Sequence, residues 1–237
     1  MYKAGWMVYK IITMYNEQIR KPQFAGSGMT SPRSRRRLIE KIMDMGINHP
    51  TVLEVMTSLP RHIFVDEAFE TRAYENTALP IAEGQTISQP YTVGLMTQTL
   101  FNKPRDKILE IGTGCGYQTA ILAPLCKEVV SLERILSLHR QARDRLYDLG
   151  VRNVKFKHGD GFAGMLDFAP YDGILAAAVS EDVPAELIDQ LAEGGRIVMP
   201  VGRDNKQTLI VIDKTATGLI HQEIEAVRFV PRLAGLG

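Results

Sequence analysis

The sequence predicts an α/β protein built on a doubly wound, mostly parallel seven-stranded sheet, with helices on both faces and an antiparallel hairpin at one edge. From residue 107 onward, short β-rich runs alternate with helical ones, which is typical of a parallel sheet. The last strands follow one another without a helix between them, which indicates the antiparallel edge. One apolar strand also runs into a glycine-rich loop and then a helix, an arrangement that places a ligand at the carboxyl ends of the strands.

The chain divides into an extension and one domain. Residues 1–28 contain an apolar run that Lys10, Asn16 and Glu17 interrupt, so it reads poorly as a signal peptide or membrane span. A glycine- and serine-containing stretch follows and ends at Met29, a second possible start. We therefore expect residues 1–28 to be a flexible, dispensable extension and residues 29–237 to form a single domain. Within it, residues 29–104 form a helical part that carries an active-site loop, and residues 105–237 form the cofactor-binding core.

The helical part opens with two amphipathic helices, at residues 38–45 and 50–56, and Pro50 suits a first helical turn. The arginines at positions 33, 35, 36 and 37 precede the first of them. They form either a phosphate-binding patch or, as we prefer, a solvated helix face. Residues 86–90 read as a loop that leads onto a further helix, which contains the apolar positions of residues 93–100.

The core elements follow in order along the chain. Strands are expected at residues 107–111, 128–133, 154–157, 171–176, 196–201, 209–212 and 224–229. Helices are expected at residues 118–126, 136–149 and 183–192. Gly150 after the long helix and Gly194 and Gly195 before a strand mark chain reversals.

The composition excludes several functional classes. The 237 residues are 45% hydrophobic and 23% charged, as in ordinary soluble globular proteins. The net charge of +1 provides no overall field that would recruit nucleic acid or a membrane. Cys115 and Cys126 form no disulfide framework, and the five histidines have no metal-ligand spacing. We therefore expect a cytoplasmic monomer without a bound metal, a nucleic-acid partner or a membrane partner.

The glycine loop is the most informative motif. Gly112, Gly114 and Gly116 follow an apolar strand in a G-x-G-x-G pattern, and Tyr117 stands where a dinucleotide-binding fold has its third glycine. A pyrophosphate cofactor is therefore disfavoured, and with it a dehydrogenase. Glu110 precedes the loop, where its carboxylate would repel a pyrophosphate but attract a ligand that carries an ammonium and a sulfonium group. S-adenosylmethionine is such a ligand.

Two further acids end the next two strands. Glu133 lies 21 residues after Gly112, close to the offset at which an acid reaches a ribose hydroxyl. Asp160, in a His-Gly-Asp-Gly sequence, is placed to accept a hydrogen bond from an adenine amino group. Each acid alone could be a helix cap or a solvated charge. Because the loop and both acids fall at the ends of successive strands, we favour a nucleoside site, and we read His158 and Cys115 as structural.

Five segments together resemble one family. They are L-P-I-A-E-G-Q-T-I-S-Q-P-Y at 79–91, L-E-I-G-T-G-C-G-Y-Q at 109–118, V-S-L-E-R-I at 130–135, H-G-D-G at 158–161 and V-R-F-V-P at 227–231. In this order they resemble the bacterial protein-L-isoaspartate O-methyltransferases, within the class I S-adenosylmethionine-dependent methyltransferases. The resemblance runs from about Met29 to the C-terminus. The segments at 84–90 and 228–231 are the most specific to this family. Residues 175–184 and Arg232 depart from its usual pattern.

The resemblance implies a reaction and a set of site residues. The methyl group of S-adenosylmethionine would pass to the free α-carboxylate of an L-isoaspartyl residue in a damaged peptide or protein, and the ester would collapse to a succinimide that starts repair. Ser88 would be the catalytic serine, and Ser88, Val230 and Pro231 would contact the substrate. The implied cofactor-binding set is Thr86, Ile87, Gln89, Pro90, Glu110, Gly112, Thr113, Gly114, Gly116, Tyr117, Glu133, Arg134, Asp160 and Gly161.

The implied chemistry needs no general base, because a carboxylate is already ionised at neutral pH. Ser88 would then orient the substrate as a hydrogen-bond donor, and without the resemblance we would interpret it as a helix cap. Two alternatives stay open: a methyltransferase with another substrate, and a methyltransferase-fold binding protein without activity. Nucleic-acid methyltransferases often carry an Asn or Asp, two prolines and an aromatic residue after the fourth strand to clamp a flipped base, and residues 175–184 do not contain this combination.

Overall fold

The helical part contains three main helices, which precede the strands of the seven-stranded sheet along the chain. A computed structural model describes residues 26–204 and 206–230, together with Ile12, Thr13, Tyr15, Glu17, Phe24 and Gly235. Helices α1 (Pro32–Asp44), α2 (Pro50–Ser58) and α3 (Pro90–Leu100) each begin with a proline, whose fixed φ suits the first turn and whose missing N–H has no partner to lose there. Between α2 and α3, the short strands β1 (Leu79–Pro80) and β2 (Thr86–Ile87) pair antiparallel.

The core is one sheet of seven strands. They are β3 (Lys107–Ile111), β4 (Glu128–Glu133), β5 (Val154–His158), β6 (Tyr171–Ala176), β7 (Leu191–Arg203), β8 (Lys206–Thr215) and β9 (Gly218–Val227). Their spatial order is β5-β4-β3-β6-β7-β8-β9, and only the pairs that involve β8 are antiparallel. The predicted fold class, with its antiparallel edge hairpin, is confirmed.

Three helices connect the strands: α4 (Tyr117–Leu122), α5 (Leu136–Asp148) and α6 (Ala185–Asp189). The predicted helix at 183–192 is too long, because β7 already begins at Leu191, which pairs with Tyr171 of β6. The predicted helix at 118–126 ends at Leu122 and continues as a 3-10 turn, Ala123–Leu125, that contains Pro124. The predicted last strand, at 224–229, begins earlier and ends at Val227.

The topology itself defines a binding crevice. Chain order runs outward from β3 through β4 to β5, then reverses to β6 on the other side of β3. At such a switch point the loops after neighbouring strands separate and leave a crevice outside their carboxyl ends. The middle strands are covered on both faces, since Ile108, Leu109, Val129 and Ile174 are all fully buried. Both faces of the middle strands are therefore buried, and the crevice lies at their carboxyl ends.

The arginine tract of α1 divides between two environments. Arg33, Arg36 and Arg37 are exposed, as expected for a solvated helix face. Arg35 is buried and donates to the carbonyl oxygens of Thr57 (3.1 Å) and Ser58 (3.2 Å) at the end of α2. Neither expectation for the tract covers Arg35, which binds the last turn of α2 to α1 by satisfying carbonyls that lack a helical partner.

Two residues of the N-terminal extension lie in the core. Ile12 and Tyr15 are buried, and the Tyr15 hydroxyl donates to the Ala120 carbonyl in α4 at 2.7 Å. These contacts do not fit a flexible segment at those two positions. Most of the other residues of 1–28 lie outside the described residues.

Within the described part of the chain, every helix is too short or too polar to span a bilayer. The same residues contain no cluster of three or more His, Cys, Asp or Glu side chains that could bind a metal ion.

Candidate active site

One pocket lies in the crevice at the carboxyl ends of β3 and β4. Eleven of the residues expected from the sequence line it: Thr86, Ile87, Ser88, Gly112, Thr113, Gly114, Tyr117, Glu133, Arg134, Gly161 and Val230. Five others do not line it: Gln89, Pro90, Glu110, Gly116 and Asp160. Pro231 and Arg232 lie outside the described residues. The pocket therefore brings together the glycine loop, the Ser88 loop and the segment after β9.

Eleven further residues line the pocket that the sequence analysis did not predict. They are Gln85, Val93, Met96, Ile111, Cys115, Gln118, Leu132, Ile135, Ala177, Ala178 and Phe229. Most are apolar, and in sequence they are indistinguishable from core positions of the same strands and helices. Several of them, such as Phe229, Leu132 and Gln85, lie within the segments that carry the family resemblance, and Ala177 and Ala178 lie in the segment that departs from it, but none is among the predicted site residues.

The Glu133 carboxylate is fixed by the glycine loop. One oxygen accepts from the Gly114 N–H at 2.8 Å, and the other accepts from the Ile135 N–H at 3.0 Å. The side chain is 5% exposed and lies on the pocket wall. Gly114 has a φ of +54°, in the left-handed region that favours glycine, and this conformation directs its N–H at the carboxylate. Each oxygen keeps a lone pair that can accept from a ribose hydroxyl.

Glu110 lies beneath the loop rather than on the pocket wall. It is fully buried, and one carboxyl oxygen accepts from the hydroxyls of Thr119 (2.5 Å) and Ser131 (2.6 Å). The Ser131 hydroxyl also contacts the Thr113 hydroxyl at 2.6 Å. The other carboxyl oxygen has no hydrogen-bond partner among the described residues. Glu110 therefore reaches the pocket only through Thr113, and its expected direct contact with the cofactor stays a prediction.

Because Glu110 is buried, the free energy of unfolding should depend on the pH through its ionisation. Desolvation raises its pKa from 4.5 to about 7, against the lowering effect of the Ser131 and Thr119 hydroxyls. Since the folded protein holds this proton more tightly than the unfolded chain, wild-type stability falls as pH rises from about 4.5 through about 7. Glu110→Gln has no such proton, so the wild type should lose up to about 3 kcal/mol relative to it over that range.

Urea unfolding of both proteins at pH 5, 6, 7 and 8 measures this difference, because the pH effects of other groups cancel between them. A constant difference across the series would contradict the raised pKa.

Both oxygens of Asp160 accept from backbone groups. One accepts from the Phe162 N–H at 2.9 Å, and the other accepts from the Gly235 N–H at 2.7 Å. The Arg134 guanidinium donates to the Gly235 carbonyl at 3.0 Å. Gly235 therefore lies beside the end of β5, next to the pocket residues Arg134 and Gly161. Whether Asp160 also accepts from an adenine amino group stays a prediction.

Ser88 sits between β2 and α3 with its hydroxyl available. Its backbone carbonyl accepts from the Arg61 guanidinium at 2.9 Å, while its hydroxyl has no hydrogen-bond partner among the described residues. It is therefore not acting as a cap for α3. The Gln89 side chain turns away and donates to the Asn76 carbonyl at 3.2 Å. Pro90 is buried as the first residue of α3. Of residues 86–90, Thr86, Ile87 and Ser88 line the pocket, and Gln89 and Pro90 do not.

The segment after β9 contributes Phe229 and Val230 to the pocket wall. The side-chain amide of Gln207 accepts from the Phe229 N–H at 2.6 Å and donates to the Phe229 carbonyl at 3.2 Å. Val179 donates from its backbone N–H to the Val230 carbonyl at 3.0 Å. Gln207 thereby imitates a strand partner for Phe229, and Val230 pairs with the chain after β6. These contacts fix the backbone of residues 229 and 230 at the pocket wall.

The surroundings of His158 and Cys115 agree with the structural roles that the sequence analysis predicts for them. His158 contacts the Arg134 carbonyl through Nε2 at 3.0 Å, which lets a ring N–H donate there. Cys115 lines the pocket, but burial raises the pKa of its thiol. A raised pKa disfavours the thiolate, so Cys115 is poorly suited to nucleophilic attack.

Gly116 serves helix packing rather than the pocket wall. Its φ is +89°, and a Cβ atom there would lie 2.7 Å from Leu146 Cδ1 and 3.2 Å from Ala142 Cβ in α5. Gly116→Ala should therefore destabilise the fold by about 2 to 3 kcal/mol, from backbone strain and overpacking together. Gly46→Ala is the matched control, because Gly46 has a φ of +107° but no atom within 4 Å of the added Cβ. It should cost about 1 kcal/mol. Equal losses in chemical denaturation would mean that α5 is not packed against Gly116.

The fold and the pocket define a class of protein. The sheet order β5-β4-β3-β6-β7-β8-β9, a glycine loop after β3 and a buried acid at the end of β4 are the features of a class I S-adenosylmethionine-dependent methyltransferase. Residues 33–236 match the family model of protein-L-isoaspartate(D-aspartate) O-methyltransferase. The chain belongs to that family.

Curated relatives and solved structures agree with this assignment. The chain is 51% identical over 216 residues to the protein-L-isoaspartate O-methyltransferase of Alcanivorax borkumensis, covering 90% of this chain and 98% of the relative. It is 52% identical over 208 residues to that of Pseudomonas fluorescens, covering 87% and 99%. A solved protein-L-isoaspartate O-methyltransferase superposes with a TM-score of 0.77 at 27% identity, over 86% of this chain and 67% of that one. A Plasmodium falciparum beta-aspartate methyltransferase in complex with S-adenosyl-L-homocysteine superposes with a TM-score of 0.74 at 26% identity, over 84% and 98%.

Proposed function

We propose that the protein transfers a methyl group from S-adenosylmethionine to the free α-carboxylate of L-isoaspartyl residues in damaged peptides and proteins. The observation that carries this proposal is that Ser88, whose hydroxyl has no partner among the described residues, lines the same pocket as the glycine loop and Glu133. Family membership and relatives about half identical in sequence support the same activity. The resulting ester would close to a succinimide, whose hydrolysis returns part of the substrate as normal aspartate.

The residues of the pocket fit S-adenosylmethionine. Glu133 faces the pocket with its carboxylate fixed by two backbone N–H groups, which suits a ribose diol. Leu132 and Ile135 beside it offer apolar contact to a flat base, and Gly112 and Gly114 allow the backbone to approach the ligand closely. When bound, S-adenosylmethionine supplies a methyl carbon made electrophilic by the attached sulfonium. Arg134, Asp160 and Gly161 belong to the same proposed subsite.

Catalysis by this chain would rest on orientation and on exclusion of water. The substrate carboxylate is ionised at neutral pH, so no protein group has to remove a proton. Ser88 donates its hydroxyl proton as a hydrogen bond to one carboxylate oxygen and leaves the other oxygen to attack. Ile87, Val93 and Met96 line the pocket with apolar surface. Since opposite charges neutralise each other in the transfer, a water-poor pocket favours the transition state over the separated ions.

The substrate would be recognised through its backbone. The backbone of Phe229 and Val230 is fixed at the pocket wall by hydrogen bonds, and an extended peptide can lie along it without contributions from particular side chains. Pro231 belongs to the same proposed contact. This explains how one enzyme could accept damaged sites in many sequence contexts.

We further propose that the protein acts in the cytoplasm as a monomer and without a nucleic-acid partner. Its described cysteines, Cys115 and Cys126, are free and buried, which suits a reducing compartment. The net charge of +1 gives no overall positive field that would attract a phosphate backbone.

The direct test uses two peptides that differ only in an isoaspartyl or a normal aspartyl residue at one position. Labelled S-adenosylmethionine should methylate the isoaspartyl peptide alone, and mild base should release the label as methanol, as expected of a carboxyl ester. Equal labelling of both peptides, or label that resists base, would contradict the proposed substrate.

A further inference from the structure

Arg61 is a buried cation directly behind the Ser88 loop. Its side chain is fully buried, and its guanidinium donates to the carbonyl oxygens of Ala73 (3.0 Å) and Ser88 (2.9 Å). The guanidinium carbon also lies 4.8 Å from the centre of the Tyr117 ring, which lines the pocket. One side chain therefore contacts the Ser88 loop and the residue that follows the glycine loop.

The charge of Arg61 has no carboxylate partner in the part of the chain that the structure describes. No ion pair there includes Arg61, and its Nη1 atom has no hydrogen-bond partner. Burial lowers the pKa of its guanidinium, and the groups that act against this are Tyr117, Cys115 and Tyr74, which are neutral at pH 7. A buried charge is costly unless it is paired, so an unpaired one next to a pocket points to an anion supplied from outside.

The Ser88–Gln89 peptide connects this charge to Ser88, which lines the pocket. Its carbonyl points at Arg61, and because the peptide is trans, the Gln89 N–H points the opposite way. Among the described residues the Gln89 N–H has no acceptor, and neither has the Ser88 hydroxyl a partner. Two adjacent donors, with a cation behind them, match the needs of one carboxylate group.

We propose that Arg61 is a positioning residue for the substrate carboxylate. It holds the Ser88–Gln89 peptide with its N–H directed outward, and its unpaired charge makes that N–H a stronger donor to an anion. The substrate carboxylate is then the anion that Arg61 lacks, and the Ser88–Gln89 peptide separates it from the guanidinium. This inference rests on the proposed function, since it assigns a residue to the recognition of the isoaspartyl carboxylate.

The test compares two ligands and three proteins. The ligands are an isoaspartyl peptide and the same peptide with the α-carboxylate replaced by a carboxamide, each titrated calorimetrically into protein saturated with S-adenosylhomocysteine. The quantity of interest is the ratio of the two dissociation constants. The wild type should prefer the carboxylate. Arg61→Met should reduce that preference by about tenfold, and Arg61→Lys, which keeps the charge, should retain it within about threefold.

Arg105→Met is the matched control. Arg105 is also a buried arginine, and it donates to the carbonyls of Leu100 and Asp172, at 2.6 Å each, beside the opposite end of β3. Its replacement should lower stability and leave the preference unchanged. Affinity for S-adenosylhomocysteine confirms that each variant is folded. If Arg61→Met does not fold, Arg61→Lys still decides, because a loss of preference there would overturn a role for the charge.

The outcomes separate the two proposals. Equal weakening of both ligands by Arg61→Met would show a purely structural residue and overturn this inference, while wild-type methylation of the isoaspartyl peptide would leave the proposed function standing. A wild type that neither binds nor methylates the isoaspartyl peptide would instead overturn the proposed function.

Discussion

Glu133→Gln should weaken S-adenosylhomocysteine binding by about 100-fold, or about 2.7 kcal/mol, with little change in overall fold. The two carboxylate oxygens accept from the N–H groups of Gly114 and Ile135, and an amide can accept at only one of these positions. Its NH2 group would face the other N–H, and the glycine loop would shift away from that contact. The ribose would also lose an ionised acceptor.

Isothermal titration with S-adenosylhomocysteine measures the effect, and Glu128→Gln is its control. Glu128 begins the same strand, β4, at the end away from the pocket, where it pairs with Lys155 at 2.6 Å on the surface. Surface pairs of this kind contribute about 0 to 1 kcal/mol, so its replacement should change the dissociation constant less than twofold. A change of less than threefold in Glu133→Gln would show that this carboxylate does not hold the cofactor.

Ser88→Ala should lower kcat by about 100-fold while leaving cofactor affinity within twofold of wild type. Loss of the hydroxyl removes one hydrogen bond to the substrate carboxylate, and removal of a single well-placed donor commonly costs this much in rate. The Ser88 carbonyl, which Arg61 holds, is unchanged, so the loop should keep its conformation.

Steady-state kinetics with an isoaspartyl peptide measures this effect, with Ser137→Ala as the control. Ser137 is a half-buried serine at the start of α5, and its hydroxyl donates to Glu83 outside the pocket. Its replacement should leave kcat unchanged. A loss of 10,000-fold or more in Ser88→Ala would indicate a covalent nucleophile instead, and an unchanged kcat would remove Ser88 from catalysis.

The fold was predictable because local patterns and the topology agree. Strands alternating with helices specify a parallel sheet, and the closing strands without helices specify the hairpin. The errors fall where tertiary pairing overrides local pattern. Residues 190–192 continue the periodicity of a helix, but Leu191 pairs with Tyr171, so the helix stops and β7 begins.

The site was predictable where its residues break an ordinary pattern. Gly114 and Glu133 stand out because glycines cluster after a strand and an acid ends the next one. Met96 and Leu132 were missed because an apolar side chain on a pocket wall has the same sequence pattern as one in the core. Arg61 was missed because it lies outside the glycine loop, and only the three-dimensional fold shows that it contacts the Ser88 carbonyl.

The observed position of the Glu110 side chain differs from the predicted one. The acid before the glycine loop was expected to face a cationic ligand, yet the alternation of β3 places its side chain in the interior. There its carboxylate accepts from the Thr119 and Ser131 hydroxyls, and the residue does not line the pocket. Sequence position located the residue next to the loop but could not show on which side of the strand it would lie.

The most direct measurement of the proposed activity follows one isoaspartyl peptide over time by liquid chromatography and mass spectrometry in the presence of the protein and S-adenosylmethionine. The account predicts a species heavier by one methyl group, then a succinimide, and finally accumulation of the normal aspartyl peptide. Fragmentation should place the methyl group on the α-carboxylate of the isoaspartyl residue. A methyl group at any other position, or a methylated peptide that is stable and yields no normal aspartate, would contradict it.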